Sequence, residues 1–528
     1  MKTYKIFIAA VAAMITLGSC SDFLTTELTD KKTSDSYYKT PADAYASLVG
    51  CYNGLDLIWN DGIAFPVVSE VLSDNCFGGT GSSDGYGYQM LDQFDKTIST
   101  SDASVYEPNW KAYYQAIYRC NILLSKLDLV DWGTQTSLKK QYEAETKFIR
   151  AYLYFDLVRL FEKVPLLTTV TTEIVPQSEP ADTYKQIMSD LRFAADGLDA
   201  TSYTKTPNGR VTKWAAESLL ARVYLFYTGY YGATEIGGET KTTALAAVED
   251  VIAHSGHGLV SDFTTLWPAA SDAKGVTYAG EDNKEVVFSI KYTGNGDYSG
   301  NVTSNGWMVI TGIRGGSVYP YGYGWGACTV DPKLWSTFDE ADSRRFASIT
   351  SIISEGLTDT YTPKITADNR EYTGYYLKKY SPRSDKNNAY FPVVNYTIAQ
   401  SQDYFVIRYA DVLLMAAELG SSNAADYYNQ VHQRSIPTAV AVSSVSKSDI
   451  LAERRLEFVG EGIRYWDLLR QGITTAASEI VNNTTITKLD SKYPNLRVSD
   501  ITTTRGFQQI PNNQITLSGG ALKQNAGW

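Results

Sequence analysis

The sequence predicts a mainly α protein: a scaffold of paired helices with long irregular loops and a few short strands. Three observations lead there. Apolar residues recur at steps of three and four in one stretch after another, the mark of helices with a buried face. Alanines cluster within several of those stretches, where they would let a partner helix approach closely. Two long stretches break the pattern and are dense in glycine, tyrosine, tryptophan, asparagine and aspartate, as loops that carry function on a folded body would be.

Taken in order, Lys2 and Lys5 precede an apolar run from Ile6 to Leu17. This is an export signal, too short to span a bilayer permanently. Residues 1–19 read as this signal and residues 20–40 as a polar tether. One body then covers 41–528: a helical scaffold over about 41–270 and 402–472, a loop-rich insertion over about 271–401, and an irregular C-terminal segment over 473–528. Pro41 to Ile58 reads as the first helix, with proline in its first turn. Tyr106–Leu127 and Leu138–Phe161 follow, the latter stopped by Pro165. Tyr184, Ile187, Leu191, Ala194 and Leu198 mark a helix over Asp182–Leu198. Residues 209–213 open the next, which carries Ala215, Ala216 and Ala221. Val406–Glu418 and Ala424–Arg434 form a last pair. Helix pairs of this kind suggest tetratricopeptide-like hairpins stacked in a solenoid, although no strict repeat is visible.

The most informative stretch is Ser446–Gly472. Ser446 and Asp449 have the spacing of a capping box. Ala452, Leu456, Val459, Ile463 and Trp466 form one apolar stripe, and Leu451, Phe458 and Tyr465 a second beside it. Gly460 and Gly462 each cost roughly 1 kcal/mol inside a helix, so a break is expected there, with a second helix running to Arg470. Glu461 with Arg464, and Asp467 with Arg470, are spaced to pair one turn apart.

These residues also resemble a known family. Glu453-Arg454-Arg455-Leu456-Glu457-Phe458, followed by Glu461-Gly462-x-Arg464-x-x-Asp467-Leu468, is similar to the signature helix of the SusD/RagB lipoproteins. The run from Phe148 to Leu167, the closing Phe507–Pro511 and the terminal Gln524–Trp528 resemble further family segments, with Ala526 and Trp528 where proline and tyrosine are commoner. Leu17-Gly18-Ser19-Cys20 resembles a lipobox, and Ser21-Asp22-Phe23-Leu24 the usual start after it. The resemblance implies lipidation at Cys20 and anchoring to the outer membrane at the cell surface. It also implies capture of an oligosaccharide or polysaccharide, and delivery to a SusC-like TonB-dependent transporter. The signature helix itself is implied to be architectural and to touch no ligand.

Composition narrows the chemistry. A net charge of −11, or −13 once Lys2 and Lys5 leave with residues 1–19, repels phosphate backbones and excludes nucleic acid as a partner. Three histidines and five scattered cysteines show no metal-ligand spacing. Cys51, Cys76, Cys120 and Cys328 are expected to be buried free thiols. No nucleophile elbow, phosphate loop or zinc motif appears, and nothing marks the carboxylate pair that glycoside hydrolysis needs. The reading is a binding protein rather than an enzyme, with no cofactor.

The two loops, Asp74–Tyr88 and about Gly294–Trp325, carry the candidate site. A pyranose presents an apolar C–H face that stacks on tryptophan or tyrosine, and equatorial hydroxyls that want planar donors and acceptors. Trp307, Tyr319, Tyr321, Tyr323 and Trp325 are therefore the leading platform residues, with Tyr86 and Tyr88 from the other loop. Asp74, Asn75 and Arg314 are the candidate hydrogen-bonding residues. The alternation from Tyr319 to Trp325 also fits a strand with one packed face. An alternative function, implied by the RagB branch, is capture of peptide in a groove of unpaired backbone partners.

Overall fold

The structure is a computed structural model and describes residues 37–95, 105–206, 209–294, 303–361, 367–391, 395–484 and 497–528. The export signal, Cys20, most of the tether and part of the second loop lie outside these residues.

Helical pairs stack in chain order. Helices α1 (Pro41–Leu57) and α2 (Glu107–Lys126) form the first pair, α3 (Thr136–Phe161) and α4 (Pro180–Gly197) the second, and α5 (Lys213–Tyr231) and α6 (Lys241–His254) the third. Helices α7 (Tyr409–Glu418) and α8 (Ala424–Ser435) form the fourth. Each helix packs on the next, and α6 on α7, so the stack is continuous across the insertion. Local chemistry sets the ends. Thr40 and Asp43 close a reciprocal capping box with Pro41 at the first position of α1. Thr212 caps α5 by accepting from the Ala215 N–H at 3.1 Å, and Gly232 in the left-handed region ends it. Small residues permit the close contacts: a Cβ on Gly54 of α1 would stand 2.8 Å from that of Ala116 in α2.

The insertion brings a four-stranded antiparallel sheet. Its strands are β1 (Cys76–Gly79), β3 (Ala327–Val330), β4 (Ile349–Ser351) and β5 (Tyr375–Leu377), in the order β1-β3-β5-β4. A separate antiparallel pair joins β2 (Val286–Ile290) to β6 (Tyr404–Arg408). One large core runs under the helices, and a smaller one around Ile313, Tyr321, Ile352 and Tyr376 lies under the loops.

The stretch 446–472 forms helix α9 (Lys447–Glu457), capped by Ser446 and Asp449, then a break, then α10 (Arg464–Leu469). Gly460 and Gly462 have φ of 76° and 73°, the left-handed region glycine tolerates best. The charged side chains clamp distant parts of the chain. Glu453 pairs with Arg344, and Arg454 with Asp411 and Asp467. Glu457 sits among Arg344, Arg408 and Arg434. Asp467 pairs with Arg470 at 2.8 Å, as the spacing predicts. The expected Glu461–Arg464 pair is not made: Glu461 takes Lys379 and Arg408, and Arg464 takes Asp74, because the glycine break turns the two side chains apart.

Other expectations are corrected too. Val406–Glu418 is not one helix; Tyr404–Arg408 is a fully buried strand, and its β-branched and aromatic residues pair with β2 before α7 begins. The C-terminal stretch is not wholly irregular, since α11 (Ile473–Asn483) packs on α10 through Ala476, Ala477 and Ile480. Cys51, Cys76, Cys120 and Cys328 are buried free thiols, as expected.

Candidate functional site

The two loops meet, and a third segment ties them together. From the first, the Asp84 carboxylate accepts from the Gly81 N–H at 2.6 Å and pairs with Arg314 at 3.1 Å. Arg314 also donates to Asp368 at 2.9 Å and to the Trp325 carbonyl at 3.2 Å. Ser82 donates to the second oxygen of Asp368 at 2.5 Å. That bond and Arg314 hold the Asp368 carboxyl below the usual carboxylate range. Asn369 donates to the carbonyls of Thr80 and Gly326, at 3.0 and 3.1 Å. Arg370 donates to the carbonyls of Ser82, Asp84 and Gly85 and lies 3.9 Å over the Tyr86 ring.

Above this lattice stand two exposed rings. Tyr323 is 37% and Trp325 43% exposed, among the most exposed aromatics of the described residues. The backbone beneath them is pinned: Gly324 N–H donates to the Ile313 carbonyl at 2.9 Å, Trp325 to Val309 at 2.8 Å and Gly326 to Gly312 at 2.9 Å. Glycine is required at 324, where a Cβ would fall 2.1 Å from the Gly312 carbonyl carbon. With no side chain at 322, 324 or 326, this strip lies flat on its neighbours and its two aromatic rings point outward. Tyr396 meets Tyr323 edge-on at 5.2 Å, which extends the aromatic surface.

The ten predicted site residues separate. Tyr323, Trp325 and Arg314 come together. Tyr319 is half-buried, with its N–H donating to Asn388 at 2.8 Å, and Tyr86 is half-buried beneath Arg370. Tyr88 packs against the main core, and burial pushes its hydroxyl pKa up. Four expectations are corrected. Trp307 is 2% exposed and packs on Tyr380 and Tyr404. Tyr321 is wholly buried in the smaller core with its hydroxyl on Glu355. Asp74 is buried and serves the scaffold, gripped by Arg464 at 2.8 Å and Arg455 at 3.0 Å. Asn75 is buried beside it, donating to Glu70 at 2.8 Å. Sequence reasoning missed Asp368, Asn369, Arg370 and Tyr396. The run Asp368-Asn369-Arg370 has the planar polar composition sought in the other loops, and that signal could have found it. Among the described residues, no group of three or more histidine, cysteine, aspartate or glutamate side chains is placed to hold a metal ion.

A stack of helical pairs carrying a loop-rich insertion is the fold of SusD-like proteins of known structure. The chain belongs to the SusD/RagB family. A family model described as "Starch-binding associating with outer membrane" matches residues 79–225, and the "SusD family" model matches 284–528. A SusD-like protein P2 of Formosa agariphila is 26% identical, over 89% of this chain and 91% of the relative. A laminarin-binding SusD-like protein of known structure is 27% identical with a TM-score of 0.74, covering 93% of this chain and all of that one. Surface glycan-binding protein A of Bacteroides thetaiotaomicron, solved with laminarihexaose, shares the fold at 23% identity and TM-score 0.73, over 92% of this chain and all of its own.

Proposed function

We propose that this protein is a surface glycan-binding lipoprotein that takes up neutral oligosaccharide chains on the Tyr323–Trp325 platform. It is anchored through Cys20 and passes its ligand to a SusC-like TonB-dependent transporter. The observation that carries this reading is the pair of exposed rings on a pinned glycine strip, beside the polar lattice of Asp84, Arg314 and Asp368. The rings offer apolar faces for sugar C–H groups, and the lattice offers carboxylate acceptors for hydroxyls. The platform is held before ligand arrives, so little ordering cost opposes binding. Arg314 is offset by two carboxylates, which favours neutral over anionic sugars. Asp368, held ionised, is suited to accept hydrogen bonds and unsuited to protonate a leaving group.

Calorimetric titration of the soluble chain starting after Cys20 tests this, with β-1,3-glucan oligomers first because two structural relatives bear laminarin or laminarihexaose in their names. Saturable heat is expected with one neutral glycan class. Trp325→Ala should weaken it by about tenfold or more, equivalent to about 1.4 kcal/mol. Unchanged affinity in Trp325→Ala and Tyr323→Ala would move the site elsewhere. Heat from peptides in place of glycans would favour the RagB-type function.

A further inference from the structure

A second cleft, of about 380 Å³, lies on the scaffold and shares no residue with the loop platform. Its walls include Tyr203, Thr206, Arg210, Thr212 and His257. Val286 to Ser289 of strand β2 line it as four consecutive residues. Side chains alternate along a strand, so a cleft that meets all four runs along the strand's edge. Strand β2 pairs with β6 on its other side alone among the described residues, which leaves this edge to present backbone donors and acceptors.

One polar group in the wall is left without a partner. His257 is nine-tenths buried, and its Nδ1 lies 3.0 Å from the Lys284 carbonyl. A carbonyl can only accept, so Nδ1 carries the proton and Nε2 is a lone-pair acceptor. Nε2 is buried and has no hydrogen-bond partner, a state native proteins rarely leave unused. The Tyr203 ring lies over the imidazole, centroids 4.2 Å apart and 18° from parallel.

The charges in the wall are already matched. Arg210 makes a two-pronged pair with Glu145, and Asp282 pairs with Lys291 at 2.6 Å. No surplus cation remains to hold a phosphate or carboxylate, and no surplus anion to hold a metal or amine. Threonine hydroxyls, an open strand edge, an aromatic ring and a lone acceptor are what remain. Together they suit an uncharged, hydroxyl-rich ring, and the volume lies at the small end of ligand pockets.

We propose that this cleft is a second carbohydrate site, taking one neutral sugar ring beside Tyr203, with a ligand hydroxyl donating in the plane of the imidazole to His257 Nε2 once a small shift of the wall uncovers that atom. This rests on the glycan-binding reading of the loop platform. It gives the protein a weak secondary hold on a chain end or side branch, separate from the main grip.

The three histidines of the chain make the test direct. The full soluble chain is labelled with ¹⁵N-histidine in a Trp325→Ala background, and a neutral mono- and disaccharide panel is titrated by nuclear magnetic resonance. The expected result is a saturable shift of the His257 Nε2 signal with millimolar midpoint, with His254 and His432 unmoved. His257→Phe keeps a ring beneath Tyr203 and removes the acceptor; it should abolish the millimolar component of the heat that belongs to this cleft and leave the weakened platform binding, while the melting temperature stays within a few degrees. Tyr203→Ala should weaken the interaction severalfold. A His257 signal unmoved by every sugar, in a protein whose wild type binds oligosaccharide, would overturn this site and leave the platform reading standing. Absence of any sugar binding by the wild type would overturn both. A shift produced by short peptides and not by sugars would assign the strand edge to peptide and overturn the carbohydrate proposal.

Discussion

In the proposed platform, Asp368 is the residue that would set which sugars are accepted. Its carboxylate and that of Asp84 share the guanidinium of Arg314 and are the more exposed groups, while Arg370 is buried on the carbonyls of Ser82, Asp84 and Gly85, so the charge this edge presents to solvent is mainly negative. A uronate or sulfate approaching there meets like charge in a partly exposed setting, where repulsion is modest and screened by salt. Asp368→Asn removes one carboxylate and leaves Arg314 balanced against Asp84 alone. Affinity for a uronate-containing oligosaccharide should then rise about three- to tenfold at low ionic strength, and the gain should vanish near 1 M salt. Affinity for a neutral glycan should stay within about threefold. Calorimetry at two salt concentrations checks both. A gain that persists at high salt would mean the substitution had reshaped the platform rather than its charge.

Among the elements, the turn between α9 and α10 makes the sharpest stability prediction. Gly460 and Gly462 both have positive φ, but their surroundings differ. A Cβ at 460 would meet Leu377 at an ordinary 3.4 Å, whereas at 462 it would stand 2.7 Å from the backbone of Pro66. Gly460→Ala should therefore cost about 1 kcal/mol from backbone strain alone, and Gly462→Ala distinctly more, about 2–4 kcal/mol. Urea unfolding of the two variants checks the ranking; equal losses would show that the turn relaxes freely. This break was readable from the sequence because two glycines inside an otherwise helical stripe have few other meanings. The boundary at Tyr404–Arg408 was not, since a short continuous apolar run suits a buried strand and a buried helix equally. Helix α11 hid behind Thr474, Thr475, Asn482 and Asn483, residues of low helix propensity whose helix depends on Ala476, Ala477 and Ile480 packing on α10. The site divided in the same way. Composition located the aromatic loop, but which rings face out depends on Gly324 meeting Gly312 and on Tyr321 entering a core with Ile352 and Tyr376. Such contacts between distant residues leave no local trace in the sequence.

At the scale of the whole molecule, buried charge joins insertion to scaffold, and this gives stability a defined pH dependence. Arg344 from the insertion, Arg408 from β6 and Arg434 from α8 converge on Glu457 of α9. Burial alone would raise the Glu457 pKa, but the three guanidiniums hold it well below the usual range. Asp411, between Arg222 and Arg454, and Asp467 are depressed for the same reason. A group whose folded pKa is depressed stabilises the fold above its unfolded pKa, and that contribution is lost as pH falls from about 4 down through the folded value. His257, lowered to about 4 by burial, adds to the loss between about pH 6.5 and 4, where the unfolded chain takes up a proton that the folded one refuses. Other carboxyls act in the opposite sense. Burial raises Glu70 to about 7, Asp156 to about 6 and Glu217 to about 8. Between the unfolded value near 4 and these values the folded state binds the extra proton, so stability declines as pH rises through that window. Above about pH 4.5 these raised carboxyls outnumber the one histidine, so the two limbs place the maximum near pH 4–4.5. Melting temperatures measured from pH 2.5 to 8.5 at constant ionic strength should rise, peak and fall accordingly. Glu457→Gln should lower the peak, because it leaves three arginines short of a partner, and flatten the acid limb. It should leave the slope above pH 6 unchanged, since Glu70, Asp156 and Glu217 remain. A maximum above pH 7.5 would show that the buried carboxyls are ionised without penalty, and that the arginine network alone governs the response.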